Sequence, residues 1–156
     1  MINVKRFISM IALLSLFTIF VLTGCGTQPT IEVNNTGGNS IVAGSLEPNL
    51  QHKVLEDGSH EFTFSVKNQT ERVITLNFTS GERYDYILKN EAGEVIDRLS
   101  MKAQYIQALG TEELKQGESL EYKETLPALE KGKYTIEFMI TDTEFKPSAS
   151  IEFEVE

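Results

Sequence analysis

The two histidines are the side chains of this chain best suited to acid–base or metal chemistry near neutral pH. His52 and His60 lie on either side of Asp57-Gly58, a dipeptide typical of the turn between two paired strands. A zinc site needs a third and usually a fourth ligand at characteristic spacing, and no cysteine lies near either histidine. The pair therefore does not predict a metal site, and no cofactor is expected.

Sequence motifs for nucleophilic catalysis or phosphate binding are also missing. The chain contains no Gly-x-Ser-x-Gly elbow, and its glycine pair at 37–38 enters a polar segment instead of a helix. Acidic residues cluster at 112–113 and 142–144, but a chain with 23 acidic and 14 basic residues carries such pairs on its solvated surface. We therefore predict that the protein is not an enzyme and that it acts by binding.

The chain's single cysteine, Cys25, lies where an export signal would end. Lys5 and Arg6 precede an uncharged apolar run over 7–22, which at 16 residues is shorter than the roughly 20 that a spanning helix needs. The run ends in Leu22-Thr23-Gly24-Cys25, which resembles the bacterial lipobox. The resemblance implies that Cys25 receives a diacylglyceryl group, becomes the mature N-terminus and anchors the protein at the extracytoplasmic face of the bacterial cell membrane.

This pattern divides the chain into a lipoprotein signal peptide at 1–24, a lipidated flexible tether at 25–45 and a folded domain at 46–156. The tether is predicted from a sequence rich in Thr, Asn, Gly and Ser with little apolar periodicity. Removal of the signal peptide takes away two basic residues and no acidic one, which leaves 12 basic against 23 acidic residues. Such an acidic chain is not expected to bind nucleic acid or to add a basic contact to the membrane.

The hydrophobic pattern of 46–156 has a period of two, which is typical of half-buried strands. In Phe62-Thr63-Phe64-Ser65-Val66 apolar and polar side chains alternate. The same alternation predicts these further inward residues: Ile74, Leu76, Phe78, Tyr84, Tyr86, Leu88, Leu120, Tyr122, Tyr134, Ile136, Phe138, Ile140, Ile151, Phe153 and Val155. Turn sequences separate the strands at roughly 8 to 12 residue spacing. The pattern predicts an all-β fold, an antiparallel immunoglobulin-like β-sandwich.

One tyrosine is predicted to have a structural role. Tyr134 follows Gly132 at the start of a late strand, where immunoglobulin-like sandwiches place a tyrosine that bonds back to a loop. Ordinary core packing is the other role, and the two are compatible.

Two long connections are the candidate binding segments, because sandwiches bind through loops and exposed edges. The connection at 100–113 belongs to a stretch, 100–114, whose apolar residues fit a helical turn about as well as a strand. In the connection at 141–150, Phe145 lies in a polar stretch before Pro147. If these two residues are exposed they are candidates for partner binding, whereas a buried Phe145 would close the end of the core.

Several segments of the domain match, in order and spacing, the sequence segments of one known family. They are Phe62 to Thr70, Leu76 to Tyr86, Gly93-Glu94-Val95 with Arg98 and Ser100, Gln107-Ala108-Leu109, Leu114 with Gly117-Glu118, and Gly132-Lys133-Tyr134. Through these segments the domain resembles the BsuPI-type intracellular proteinase inhibitor family. The resemblance implies a compact β-sandwich that inhibits a serine proteinase, and it assigns no reactive loop to particular residues.

Together these features predict an exported, membrane-anchored lipoprotein whose β-sandwich binds protein. One hypothesis is that it inhibits a serine protease by placing a rigid loop or edge strand in the protease cleft. The alternative is an accessory or structural envelope lipoprotein that uses the domain as a ligand-binding or assembly module without inhibitory activity. Titration against secreted bacterial serine proteases separates the two hypotheses.

Overall fold

A computed structural model describes residues 45–156 of the chain. The predicted signal peptide, the predicted acylation residue Cys25 and the tether up to residue 44 lie outside the described residues. In chain order the elements are β1 (Leu46–Val54), β2 (His60–Asn68), β3 (Ile74–Phe78), β4 (Tyr84–Asn90), β5 (Val95–Arg98), α1 (Leu99–Lys102), β6 (Gly110–Leu114), β7 (Ser119–Leu126), β8 (Gly132–Ile140) and β9 (Ser148–Val155).

The strands form three antiparallel groups. One sheet has the order β1-β2-β7, a second has the order β5-β4-β8-β9, and β3 pairs with β6 as a two-stranded ribbon. His60 pairs with Val54 across the β1–β2 hairpin, and Phe64 pairs with Tyr122 between β2 and β7. In the second sheet Tyr86 pairs with Phe138 between β4 and β8. Strand β5 is the short outer neighbour of β4 at one edge of this sheet.

The core lies between the two larger sheets. The ring of Phe138, on β8, has its centroid 5.9 Å from Phe62 and 5.7 Å from Phe64, both on β2, and all three side chains are fully buried. Burial of each such side chain contributes about 1.5–3 kcal/mol to folding. The inward residues predicted from the period of two are buried, or half-buried at Tyr84, Leu120, Tyr122 and Val155. The predicted all-β sandwich is therefore confirmed.

Glycine turns close the hairpins. Gly58, Gly93 and Gly117 have φ values of +81°, +79° and +77°, a backbone region that favours glycine because other residues carry a Cβ. Gly58 belongs to the Asp57-Gly58 turn that the sequence predicts. Tyr134 donates a 2.8 Å hydrogen bond from its hydroxyl to the Glu130 carbonyl and is buried in the core, so both structural roles expected of it are confirmed.

A buried asparagine joins β2 to the β3–β6 ribbon. The Nδ2 of Asn68 donates to the carbonyls of Arg72, at 2.8 Å, and Leu114, at 2.7 Å. Its Oδ1 accepts from the backbone N and the hydroxyl of Thr70. Because a buried amide must satisfy its hydrogen-bonding groups, these contacts fix the end of β2 against the start of β3 and the end of β6.

The ambiguous stretch at 100–114 contains both kinds of structure. Helix α1 spans only Leu99–Lys102 and ends at Ala103, whose backbone is already extended. The chain then runs without regular structure to β6, which begins at Gly110. Within residues 45–156 there is no helix of the length and apolar character that crossing a membrane requires.

Candidate functional site

The largest exposed apolar side chains of the domain are concentrated in one connection. We call residues 99–109, from α1 to the residue before β6, the apolar loop. Met101 is 79%, Ile106 76% and Leu109 87% exposed, and Tyr105 is exposed to a smaller extent. Lys102 is the only charged residue of the loop. Apolar side chains held in water cost free energy unless a partner covers them, so this loop is the candidate functional site.

Asp85 holds the start of the apolar loop on one face of β4. The residue is 3% exposed, and its carboxylate accepts hydrogen bonds from the backbone N and the hydroxyl of Ser100, each at 3.0 Å. It also forms a 2.7 Å ion pair with the Nε of Arg98. Three donors converge on one carboxylate, and hydrogen bonds to a charged acceptor are the stronger kind. The geometry fixes the chain where β5 passes into α1.

Tyr86 and Asp97 hold Lys102. Successive side chains of a strand point to opposite faces, so Tyr86 lies on the face of β4 opposite Asp85. The Nζ of Lys102 lies 2.6 Å from the Tyr86 hydroxyl and 2.7 Å from Asp97 Oδ2, and the Tyr86 hydroxyl donates to the same Asp97 oxygen. The segment from Asp97 to Lys102 therefore contacts side chains on both faces of β4.

The electrostatics of this second contact follow from partial burial. Burial alone would raise the pKa of Asp97, but the hydrogen bonds from Lys102 and Tyr86 hold the pKa below its usual value. Burial and the hydrogen bond to Asp97 raise the pKa of Tyr86. At neutral pH Asp97 is consequently an anion and Tyr86 is neutral.

Arg83 holds the end of the apolar loop. Its Nε forms a 2.9 Å ion pair with Glu112, its Nη1 donates to the Ser80 carbonyl at 2.7 Å, and its guanidinium lies over the Phe78 ring. Gly110 packs directly against this guanidinium, since a Cβ at that position would lie 2.5 Å from Nη2. A side chain at position 110 would therefore displace Arg83 from its partners.

One backbone contact holds the middle of the loop. The Gly81 N donates to the Ile106 carbonyl at 2.9 Å, and the Ala108 N donates to the same oxygen at 3.0 Å. The Ile106 carbonyl is therefore doubly occupied, while its side chain remains exposed. The loop is held at both ends and in the middle. Leu99 packs on the core, whereas the side chains of Met101, Ile106 and Leu109 are exposed.

Beneath the loop lies a cluster of tyrosines and carboxylates. The Tyr84 and Tyr122 rings stack with centroids 4.7 Å apart, and the Tyr84 hydroxyl donates to Glu124 at 2.9 Å. Burial, and then the negative charge of Asp85, raises the pKa of Glu82. Burial and the carboxylates of Glu82 and Asp85 raise the pKa of Tyr105 as well. The tyrosines stay neutral near pH 7 and act as packing groups.

The two histidines form a pair at another part of the sandwich. The Nε2 of His52 lies 2.9 Å from the Nδ1 of His60, and the His52 ring packs against Phe62 and Phe153. Within residues 45–156 no group of three or more His, Cys, Asp or Glu side chains is arranged to hold a metal ion. The nitrogens of the pair point at each other, so their geometry is that of a hydrogen bond.

The second connection lies against the end of the core. Phe145 is half-buried and packs on the core cluster, and its backbone N donates to Asp142. Pro147 is half-buried, and its carbonyl accepts from the Ile140 N at 3.2 Å. Both residues predicted for partner binding therefore have structural contacts, and their role in binding stays a prediction.

Sequence reasoning selected the connection at 100–113 but missed the residues that support it. Asp85 lies between Tyr84 and Tyr86, so the alternation reads it as a solvated residue, whereas α1 and Arg98 bury it. Lys102 and Arg83 have no local pattern that names their partners. The available signal was the set of apolar residues from Met101 to Leu109 in a segment where Lys102 is the only charged residue.

The fold and the site define the class of the protein as an all-β sandwich that displays one rigidly supported apolar loop. The chain belongs to the BsuPI family, described as intracellular proteinase inhibitors, whose sequence model matches residues 46–145. No curated protein matches the sequence at a significant level.

Solved structures show a weaker likeness. With β-glucosidase 3B from Thermotoga neapolitana in complex with glucose the identity is 14% and the TM-score 0.37, over 72% of this chain and 17% of that one. With a GH3 β-glucosidase from Bifidobacterium adolescentis the identity is 14% and the TM-score 0.39, over 70% of this chain and 17% of that one. With a protein from Archaeoglobus fulgidus the identity is 17% and the TM-score 0.36, over 72% of this chain and 98% of that one. The chain thus spans about a sixth of each glucosidase, and TM-scores this low carry no argument.

Proposed function

We propose that the protein is a membrane-anchored inhibitor of an extracytoplasmic serine proteinase and that the apolar loop enters the cleft of that enzyme. The observation that carries the proposal is the exposure of Ile106 and Leu109 on a segment fixed at both ends, in a member of a proteinase inhibitor family. Large exposed apolar side chains on a supported loop fill a partner's pockets.

The rigidity of the loop supports inhibition rather than digestion. A segment that is already ordered loses less conformational entropy when it binds, and this lowers the free-energy cost of association. Asp85 orders the start of the loop, Gly81 the middle, and Arg83 the end. Because these contacts hold the loop in place, the loop keeps its conformation when it is bound in a proteinase cleft.

The site of action is part of the same proposal. The lipobox-like sequence ending in Cys25 supports export and a diacylglyceryl anchor in the cell membrane. A tether of about 20 residues has a root-mean-square reach of about 25 Å, which suffices to hold the domain beside a proteinase at the membrane surface. The family description names an intracellular inhibitor, so this chain would be an exported member.

The test is titration of the lipidated protein, solubilised in detergent, against a panel of secreted bacterial serine proteinases. We expect stoichiometric inhibition of at least one enzyme, and at least about tenfold weaker inhibition by a double Ile106→Ser, Leu109→Ser variant. The control is Val73→Ser, which removes a half-exposed apolar side chain at the end of β3 remote from Gly110.

Two results would count against the proposal. Slow digestion of the protein without inhibition contradicts it and favours an accessory or structural envelope lipoprotein. Equal loss of inhibition in the double variant and in Val73→Ser would show that the apolar loop is not the contact surface.

A further inference from the structure

Tyr105 is the least exposed large apolar residue of the apolar loop that faces solvent, at 37%, and its ring lies against Gly81, so four other side chains could enter the main specificity pocket of a proteinase. They are Met101, Lys102, Ile106 and Leu109. The depth and charge of that pocket decide which residue a serine proteinase accepts, so the choice among the four predicts the class of the target. The inference that follows rests on the proposed inhibitory function.

Lys102 is the residue that an acidic pocket would select. Its ammonium is already bound to Asp97 and Tyr86 and lies 5.3 Å from the centre of the Tyr86 ring. Insertion into a pocket would break these contacts and separate the Asp97 anion from its partner cation. A target that recognises basic side chains is therefore disfavoured.

Backbone geometry excludes two of the apolar residues. A residue in the main pocket presents its carbonyl to the oxyanion hole from an extended backbone. Met101 lies within α1, where the backbone is helical. The Ile106 carbonyl accepts from both Gly81 and Ala108, so it would have to lose two hydrogen bonds to enter the oxyanion hole.

Leu109 belongs neither to the helix nor to the Gly81 contact. Its side chain is 87% exposed, more than that of any other large apolar residue described, and Gly110 directly after it pairs with Phe78 at the start of β6. We infer that Leu109 is the primary specificity residue and that the target is a serine proteinase with a deep apolar pocket. Ile106, which is 76% exposed, serves as a secondary anchor.

The experiment measures inhibition constants of the full lipidated chain in detergent against secreted serine proteinases with apolar, acidic and small pockets. The wild-type protein inhibits the apolar-pocket enzyme and at least about 30-fold more weakly the other two. Leu109→Ala weakens inhibition of the first enzyme at least about 30-fold, whereas Val73→Ala changes it less than about threefold. Leu109→Lys transfers inhibition towards the acidic-pocket enzyme.

The outcomes separate this inference from the proposed function. Strongest inhibition of the acidic-pocket enzyme, lost in Lys102→Met, overturns the inference and leaves the inhibitory function intact. Inhibition that Leu109→Ala leaves unchanged does the same. Absence of inhibition for all three enzyme types overturns both. Because Leu109 is exposed, matching thermal unfolding of Leu109→Ala and wild type excludes a folding defect as the cause.

Discussion

The contact between His52 and His60 works only while at least one imidazole is neutral. The two facing nitrogens share one hydrogen, so protonation of both rings would place two positive charges 2.9 Å apart. Burial, followed by the charge of His60, lowers the pKa of His52 to about 4, and burial also lowers that of His60. The free energy of unfolding should therefore depend on pH through this pair.

Lowering the pH from 6.5 to about 4 should destabilise the domain. In this window the unfolded chain protonates His52 at its usual pKa of 6.5 while the folded chain does not. The unfolded state therefore binds more protons, and the free energy of unfolding falls as the pH falls. We expect a loss of about 1–2 kcal/mol, which allows for the partial exposure of the ring.

The measurement is urea unfolding from pH 7 to pH 4 in wild type and in His52→Phe. The variant retains a ring against Phe62 but removes the titrating group, so its stability should change less over this range. Glu82, with its raised pKa, opposes the trend equally in both proteins. Parallel pH profiles for the two proteins would contradict the assignment to His52.

At the scale of elements, the apolar loop depends on neighbouring strands for its order. Helix α1 has four residues, too few to be stable alone in water. It contains no fully buried residue, and it contacts the fold through Leu99, which packs on the core, through Ser100, bound to Asp85, and through Lys102, bound to Asp97. Strand β4 therefore positions a segment that has no core of its own.

Asp85→Ala should loosen the apolar loop while the sandwich stays folded. The change removes the acceptor of two Ser100 donors and the partner of Arg98, and we expect a loss of about 1–3 kcal/mol in stability. Amide hydrogen exchange over 99–109 should become faster. The control is Glu152→Ala, an exposed acidic residue on β9. Unchanged exchange at Ser100 would show that Asp85 does not order the loop.

At the scale of the whole molecule, the proposed anchor and the folded domain have separate tasks. The chain without the predicted signal peptide carries 23 acidic and 12 basic residues, so its charge does not favour anionic lipid. Membrane attachment would then depend on the acyl chains at Cys25, and two or more chains are enough for stable anchoring. The sandwich would supply only the binding surface.

Cys25→Ser should abolish acylation in cells. The hydroxyl does not replace the thiol as the lipid acceptor, so we expect the protein to be released from the membrane fraction or to remain as an uncleaved precursor. Metabolic labelling with a radioactive fatty acid, followed by fractionation, measures both. Thr27→Ser, two residues further along, should stay labelled and anchored. Acyl labelling that persists in Cys25→Ser would refute the lipobox assignment.

The strands and most of the core can be predicted from the sequence. Alternation is a local property, because every second side chain of a strand faces the same way. It therefore predicts the burial of residues such as Phe62, Ile136 and Phe138. Glycines such as Gly58 and Gly117 mark turns, because the backbone there has a positive φ that glycine favours. The family resemblance also came from sequence, and the match over 46–145 confirms it.

The contacts between distant segments could not be predicted from the sequence and are defined by the fold. Strand β5 pairs with β4. Asp85 is buried because α1 and Arg98 cover it, although the alternation of β4 predicts that this position faces solvent. The apolar residues Ile106 and Leu109 stay exposed although their type favours burial, since Asp85, Gly81 and Arg83 hold their backbone outside the sandwich. Side-chain burial within a strand follows from its own neighbours in the chain, whereas the display of a loop depends on contacts between residues that are distant in sequence.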